Sequence, residues 1–379
     1  MNTDARNFDV IVVGTGGMGS AAAFHLARRG RHVLGLERFA LPHEMGSSHG
    51  LSRVIRLTYF EHPSYVPLLR RAYELWRELE RLSGEDLLTI TGSLEVGAPG
   101  GAVIEGSLKS AETHDLPHEV LTSAQAMQRF PAYRLPADFV AILQPDGGFL
   151  DPERCILAHA GLARASGAEI HTGEAVLGWE PASDGVRVWT QRSSYLAERL
   201  VITAGAWASK LIPELVDLAV PERQVIAWFQ PRCPELFRRD RFPVFVFDAP
   251  EARYYGFPMY GLPGLKVGCF HHLREAVDPD AMDRLAHPED EEVLRAFVEH
   301  YLPDGAGPAL ALKVCLFTNS PDEHFIIDQH PACPQVIFAA GFSGHGFKFC
   351  SVIGEILADL VVSGSTSHDT SLFRMARLR

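Results

Sequence analysis

The residues that could do chemistry fall in three places. Gly14, Gly16 and Gly19 stand in G-x-G-x-x-G spacing directly after an apolar, β-branched run, and Glu37 follows 23 residues after Gly14. Gly14 permits a tight turn, Gly16 lets the backbone approach a pyrophosphate, and Gly19 lets a helix pack closely on a strand. The helix that begins there offers free N–H groups and a positive dipole end to phosphate, while Glu37 can accept hydrogen bonds from ribose hydroxyls. The pattern reads as dinucleotide binding and leaves FAD and NAD equally open. The second place is the loop after Glu37, where Gly46, Ser47, Ser48, His49, Gly50, Arg53 and Arg56 crowd together. Such a loop can wrap a cofactor with backbone N–H groups and present cations to a ligand; a solvated loop of surface ion pairs is the competing reading. The third is GFSGHGFK, with Gly341, Gly344 and Gly346 ahead of an apolar helix whose N-terminus could face an anion.

The elements that must position these groups follow from periodicity. Asp9 to Val13 and His32 to Leu36 read as buried strands flanking an apolar helix that ends near Gly30. Ser64 to Leu82 carries apolar residues at helical spacing and should lie on the sheet. From Leu87 the pattern turns strand-like, through LLTITGSLEVG and then residues 139–150, with a helix-turn region at Leu116 to Arg129 between them. Asp151 and Pro152 start a further helix, and Arg199 to Ser209 is an apolar strand ending at Ala204-Gly205-Ala206, small residues that let the backbone pass close to a cofactor. Short strands recur at Val225–Gln230, Val244–Asp248, Arg253–Met259, Leu265–Phe270 and Ala309–Phe317, with a helix at Asp290–Tyr301, and a strand, Val336–Ala340, then a helix, Phe349–Val362, close the chain. The fold class expected is α/β: a Rossmann-type nucleotide domain (residues 1–85, 151–217 and 322–379) interleaved with an α+β substrate domain on a mixed, largely antiparallel sheet (86–150 and 218–321).

Composition narrows the partners. A formal charge of −12 over 379 residues, with no long basic tract, argues against nucleic acid or an anionic membrane surface. The six cysteines are scattered without a C-x-x-C pair, so neither a zinc site nor a disulfide framework is expected, and no metal is assigned. No stretch reads as a signal sequence or a membrane span, which points to the cytoplasm, and the absence of coiled-coil or repeat patterns points to a monomer.

With these pieces in place the chain resembles the monomeric sarcosine oxidase and N-methyltryptophan oxidase family of FAD-dependent amine oxidases. The resemblance runs from FDVIVVGTGGMGS through GSSHGLSRVIR, YYGFP, GLKVG and CLFTNSPDEHFIIDQHP to AAGFSGHGFK. It implies FAD as the cofactor, attached covalently through Cys315. It implies that Gly17, Met18, Arg38, Ala204, Gly205, Gly341, Phe342, Gly344, His345, Gly346, Phe347 and Lys348 join the fingerprint glycines, Glu37, Ser47, Ser48 and Arg53 around that cofactor. Arg56 and Lys348 are implied to hold a substrate carboxylate, with Tyr255, Phe317 and Gly344 lining the pocket. Lys266 is implied to lie beyond the flavin N5 and activate oxygen, and His49 and Arg53 to line the flavin face. The partners implied are a small amino acid and O2.

The sequence departs from the sarcosine-oxidising pattern at two positions. Phe317 stands where tyrosine is usual, and a substrate-side histidine maps to Phe270, or to His271 with a shift. Both changes favour apolar substrate parts. The activity implied is oxidation of secondary N-alkyl amino acids, sarcosine foremost, with release of H2O2. Bulkier or cyclic substrates (N-methyltryptophan, pipecolate, proline) and a dehydrogenase of the same fold that passes electrons to a carrier stand as alternatives.

Overall fold

The computed structural model describes residues 6–378. Its first sheet is built on the opening strand Arg6–Val13, which pairs in parallel with Val33–Leu36 on one side and Ser194–Ile202 on the other. Glu169–His171 extends the sheet beyond Val33–Leu36, and Cys333–Ala340 joins Ser194–Ile202, again in parallel. The strand order therefore reverses beside Arg6–Val13, which leaves a crevice at the carboxyl ends of the central strands. A hairpin of Val176–Ala182 and Gly185–Thr190, not anticipated from the sequence, adds an antiparallel wing.

The second sheet has eight strands, in the order Ala309–Asn319, Val220–Phe229, Leu265–Cys269, Arg253–Phe257, Val244–Asp248, Ser93–Gly97, Val140–Gln144 and Glu119–Thr122. Every pairing is antiparallel except that of Val244–Asp248 with Ser93–Gly97. Arg53–Ile55, Gly148–Leu150 and Leu88–Ile90 form a small third sheet that fixes the start of the basic loop's strand to the chain beyond residue 86.

Helix Gly17–Arg28 packs on Pro152–Ala165 and Cys350–Ser363. Gly354 makes the last approach possible, because a Cβ there would stand 2.6 Å from Ala21. Tyr65–Ser83 corrects one expectation: it lies chiefly on the helices Cys350–Ser363 and Pro152–Ala165, as an outer layer, rather than on the sheet. Its apolar stripe suits either surface, so periodicity alone does not choose. The region Leu116–Arg129 holds a strand, Glu119–Thr122, before the helix Ser123–Arg129, which is opened by a Thr122/Gln125 capping box. Among the described residues no helix is long and apolar enough to cross a membrane.

Candidate active site

The crevice of the first sheet is a cavity of about 450 Å³. The three fingerprint glycines divide their work there as their spacing suggests. Gly14 takes φ +83°, and a Cβ on it would meet Thr203 O at 2.6 Å. A Cβ on Gly19 would overlap Gly14 O at 1.8 Å, so helix and strand touch backbone to backbone. At Gly16 nothing lies within 4 Å, and Gly16, Gly17 and Met18 line the cavity. Gly16 is the N-cap and no side chain caps the helix, so its first N–H groups remain available to an anion.

Glu37 closes the far side of the turn. Its carboxylate accepts from Thr15 N at 2.9 Å and Phe39 N at 3.0 Å, which fixes its orientation and leaves further lone pairs for a diol. Arg38, Ala204 and Gly205 line the same cavity, as do Ser47, Ser48 and Arg53 of the basic loop and Gly341, Phe342, Gly344, Gly346 and Phe347 of the second glycine cluster. An uncapped helix end, an open Gly16 and an acid at the strand end are a donor and acceptor set that fits a dinucleotide pyrophosphate and ribose. Reading the sequence missed Trp207, Lys210 and Asp280, which close the cavity at one side. Asp280 accepts from Arg38 at 2.6 Å, Trp207 Nε1 at 2.8 Å and Lys210 at 2.5 Å. Arg38 follows Glu37 and Trp207 follows Ala204-Gly205-Ala206, whereas Lys210 and Asp280 lay near no recognisable motif.

A second, smaller cavity of about 50 Å³ abuts the first; Arg53, Phe317, Gly344 and Phe347 line both. Gly344, at φ +74°, lets the Phe317 ring come so close that a Cβ would overlap it at 2.3 Å. The other walls are aromatic (Tyr255, Phe257, Phe270) and cationic (Arg56, Lys348), with Cys315, His345 and Glu61 among them. Phe270, rather than His271, is the residue that faces this space; His271 turns away to Glu222 and Glu323.

The charges here are strongly coupled. Arg56 Nη2 reaches both oxygens of Glu61, at 3.0 and 2.9 Å, and Nη1 donates to Thr58 O at 2.5 Å. Burial works to raise the Glu61 carboxyl, but Arg56, helped by His345 and Lys348, outweighs it and holds the group below its ordinary value. Lys348 donates to His345 O at 2.6 Å and has no carboxylate partner among the described residues. Burial, and then the neighbouring Arg56, pull its ammonium down to about 7. His345, which like Lys348 lines the second cavity and not the first, bonds Tyr59 at 2.5 Å and Glu323 O at 2.9 Å. Burial brings it to about 4, so it is neutral.

Arg53 stands on the shared wall. Nη2 donates to Ser47 O at 2.7 Å and lies 3.6 Å from Cys315 Sγ, and Nη1 donates to Ser52 O at 2.9 Å. Lys266 and His49 line neither cavity. Lys266 is buried behind the basic loop, bonded to Gly50 O, Ser52 O and Ser52 Oγ at 2.7, 2.7 and 2.9 Å, with the Phe257 ring centre 4.3 Å away. Burial, and then Arg53, lower its ammonium well below the ordinary lysine value. His49 is fully buried with neither ring nitrogen partnered among the described residues, and burial pulls it down to about 3. Burial pushes the Tyr255 hydroxyl above its ordinary value, so the phenol stays protonated.

This arrangement can hold a dinucleotide and present its reactive end, across Arg53 and Phe317, to a small anionic ligand. Comparison with known proteins agrees in kind. The sequence family described as FAD dependent oxidoreductase matches residues 9–360. A monomeric sarcosine oxidase from Streptomyces avermitilis is 46% identical over 381 residues, covering 98% of both chains. An N-methyl-L-tryptophan oxidase from Yersinia pestis is 34% identical over 376 residues, covering 98% of this chain and all of its own. Among solved structures, that of NikD, an unusual amino acid oxidase essential for nikkomycin biosynthesis, superposes with a TM-score of 0.83 at 28% identity, covering 97% of each chain. The chain belongs to the FAD dependent oxidoreductase family, among the relatives of the monomeric sarcosine and N-methyl-L-tryptophan oxidases.

Proposed function

We propose that the protein is an FAD-dependent oxidase of small secondary amino acids, sarcosine foremost, which converts substrate, O2 and water to the primary amino acid, an aldehyde and H2O2. One observation carries the reading: a cavity walled by Arg53, Arg56, Lys348 and five aromatic rings that abuts the dinucleotide cavity. Its volume of about 50 Å³ would hold roughly three to five water-sized groups, which suits N-methylglycine better than an indole or a piperidine ring.

Bound FAD would supply the two-electron acceptor that amino-acid side chains lack. Gly16, Gly17, Glu37, Ser47 and Ser48 would hold its nucleotide half, and Gly344, Gly346 and Phe347 would face its ring. Cys315, buried on the wall of the second cavity and beside Arg53, is the thiol suited to covalent attachment. Lys348 and Arg56 receive the substrate carboxylate, which orients the adjacent C–N bond. Tyr255, Phe257, Phe270 and Phe317 exclude water from it. Lys266, in its protonated form behind the loop, would favour negative charge developing on O2. The strands of the two large sheets are consistent with a division at residues 85, 150, 217 and 321. A monomer acting in the cytoplasm, with no metal, nucleic acid or membrane, completes the proposal.

The test is an anaerobic titration with sarcosine, N-methyl aromatic amino acids, proline and pipecolate, followed by H2O2 counting in air. Bleaching of the flavin spectrum by sarcosine, with one H2O2 per substrate, is expected. Bleaching without peroxide would instead assign a dehydrogenase.

A further inference from the structure

The basic loop contains a bend that its own residues do not favour. Ser52 N donates to Gly50 O at 2.9 Å, closing a three-residue turn whose central residue, Leu51, is held at φ +69°. A γ-turn with positive φ is rare and strained, more so at a branched residue than at glycine. Gly50 before it, at φ +95°, has no room for a side chain, since a Cβ would stand 2.6 Å from Ile226. Strain of this kind persists only where the surroundings over-determine it.

Two charged side chains from distant segments do so here. Glu153 comes from the first turn of helix Pro152–Ala165, where the helix dipole favours an anion. It accepts from Gly50 N at 2.6 Å and from Leu51 N at 3.2 Å on both oxygens. Among the described residues it has no side-chain cation within salt-bridge distance. Lys266 takes the opposite groups of the same turn: the carbonyls of Gly50 and Ser52 and the Ser52 hydroxyl. The N–H and the C=O of Gly50 thus link an acid to an ammonium. The next residue in the chain is Arg53, whose guanidinium stands on the wall between the cavities.

We propose that Glu153 is a positioning residue of the oxidation centre: with Lys266 it clamps the strained turn Gly50–Ser52, and through that turn it sets Arg53 between the two cavities and keeps the Lys266 ammonium in place. The inference rests on the oxidase reading for its consequence, and on hydrogen-bond geometry alone for the clamp. The charged and titratable groups that act on Lys266 are Arg53 and His49 of the loop, Asp151 and Glu153 of the helix start, and Cys315 of the neighbouring strand. Glu153, Cys315 and Asp151 act in favour of its charged form, against burial and Arg53.

The experiment compares holoenzymes of the parent, E153Q, E153A and K266M. Amide hydrogen exchange over residues 46–56 is measured together with the pH dependence of reoxidation of the reduced flavin by O2. In E153Q, a near-isostere that folds even where E153A does not, exchange at Gly50 and Leu51 is expected to rise by about tenfold or more, since a charged acceptor is lost. The pH at which reoxidation slows should move toward acid, and reduction by sarcosine should change less than reoxidation. Parent-like exchange in E153Q, or faster exchange with a parent-like pH profile, overturns the proposal. If K266M reoxidises at the parent rate, the oxygen role given to Lys266 fails. The clamp is then judged on exchange alone, and equal exchange in E153Q, K266M and parent refutes it.

Discussion

Arg56 and Glu61 face each other on the wall of the smaller cavity, with Nη2 2.9 and 3.0 Å from the two carboxylate oxygens and both side chains almost wholly buried. A substrate carboxylate must therefore compete with an internal one. Replacing Glu61 by Gln leaves the buried guanidinium with only the Glu95 carboxyl, 4.0 Å from Nε, which costs on the order of 3–5 kcal/mol in the free protein. An added carboxylate restores that loss. E61Q should melt lower than the parent, yet gain more thermal stability from a simple carboxylate ligand and bind it about tenfold tighter. Weaker binding would mean that Glu61 serves chiefly to hold Arg56 in the right pose.

Lys348 gives the site a pH dependence whose sign is fixed. Burial and Arg56 bring its ammonium down to about 7, so in the free protein the charge is present below that value and lost as pH rises through it. Carboxylate affinity should accordingly fall between about pH 7 and 9, and K348M should bind weakly and without that dependence. Ligand titrations by flavin difference spectra at several pH values check both. A K348M enzyme with the parent's pH profile would move the titration to another group.

The glycines of the fingerprint separate folding from binding. Gly19→Ala puts a methyl group into the Gly14 carbonyl, and should destabilise the apoprotein by about 1–3 kcal/mol as overpacking does. Gly16→Ala meets nothing within 4 Å, so the apoprotein should melt like the parent and lose only cofactor affinity. Thermal melts of both apoproteins, followed by FAD titration, test the division. Equal destabilisation by the two substitutions would contradict it.

This division was legible in the sequence because each glycine answers a local constraint at fixed spacing. The central strands of both sheets were legible from their apolar runs, whereas the hairpin Val176–Ala182 and Gly185–Thr190 and the edge strand Glu119–Thr122 were not. Glu61, Glu153 and Asp280 were not: each is an ordinary acid by sequence, and its role arises only when the fold turns it onto Arg56, five residues away, or brings it to Gly50 or Lys210 from a distant segment. Lys266 shows the intermediate case. Taken alone it reads as a solvated strand residue, and its burial follows from pairing opposite Trp228 and Phe257 in the middle of the second sheet. The choice between Phe270 and His271 turned on a positive φ of 54° at His271, which no spacing rule conveys.

Cys315 offers a direct test of covalent attachment. It is buried on the wall of the second cavity, 3.6 Å from the Arg53 guanidinium. Parent enzyme precipitated with acid should give a yellow pellet, and C315A should release all of its flavin to the supernatant. Yellow supernatant from both would show that the flavin is held without a bond to this cysteine.

His271 should make stability depend on pH on the alkaline side. Its ring stands 3.2 Å from Glu222 and 3.0 Å from Glu323, and these two hydrogen-bonded acids raise it to about 9 against the cost of burial. A group whose folded value is raised adds stability that is complete below its unfolded value, near 6.5, and is lost as pH climbs through about 9. Because Glu323 is half exposed, solvent screening reduces the contribution to about 1–2 kcal/mol. Urea denaturation of the parent should show this loss between pH 6.5 and 9, and H271Q should be less stable at pH 6 and flatter across the window. Parallel curves for the two proteins would show that the ring is neutral at pH 6 and that the bridge between Glu222 and Glu323 carries no charge.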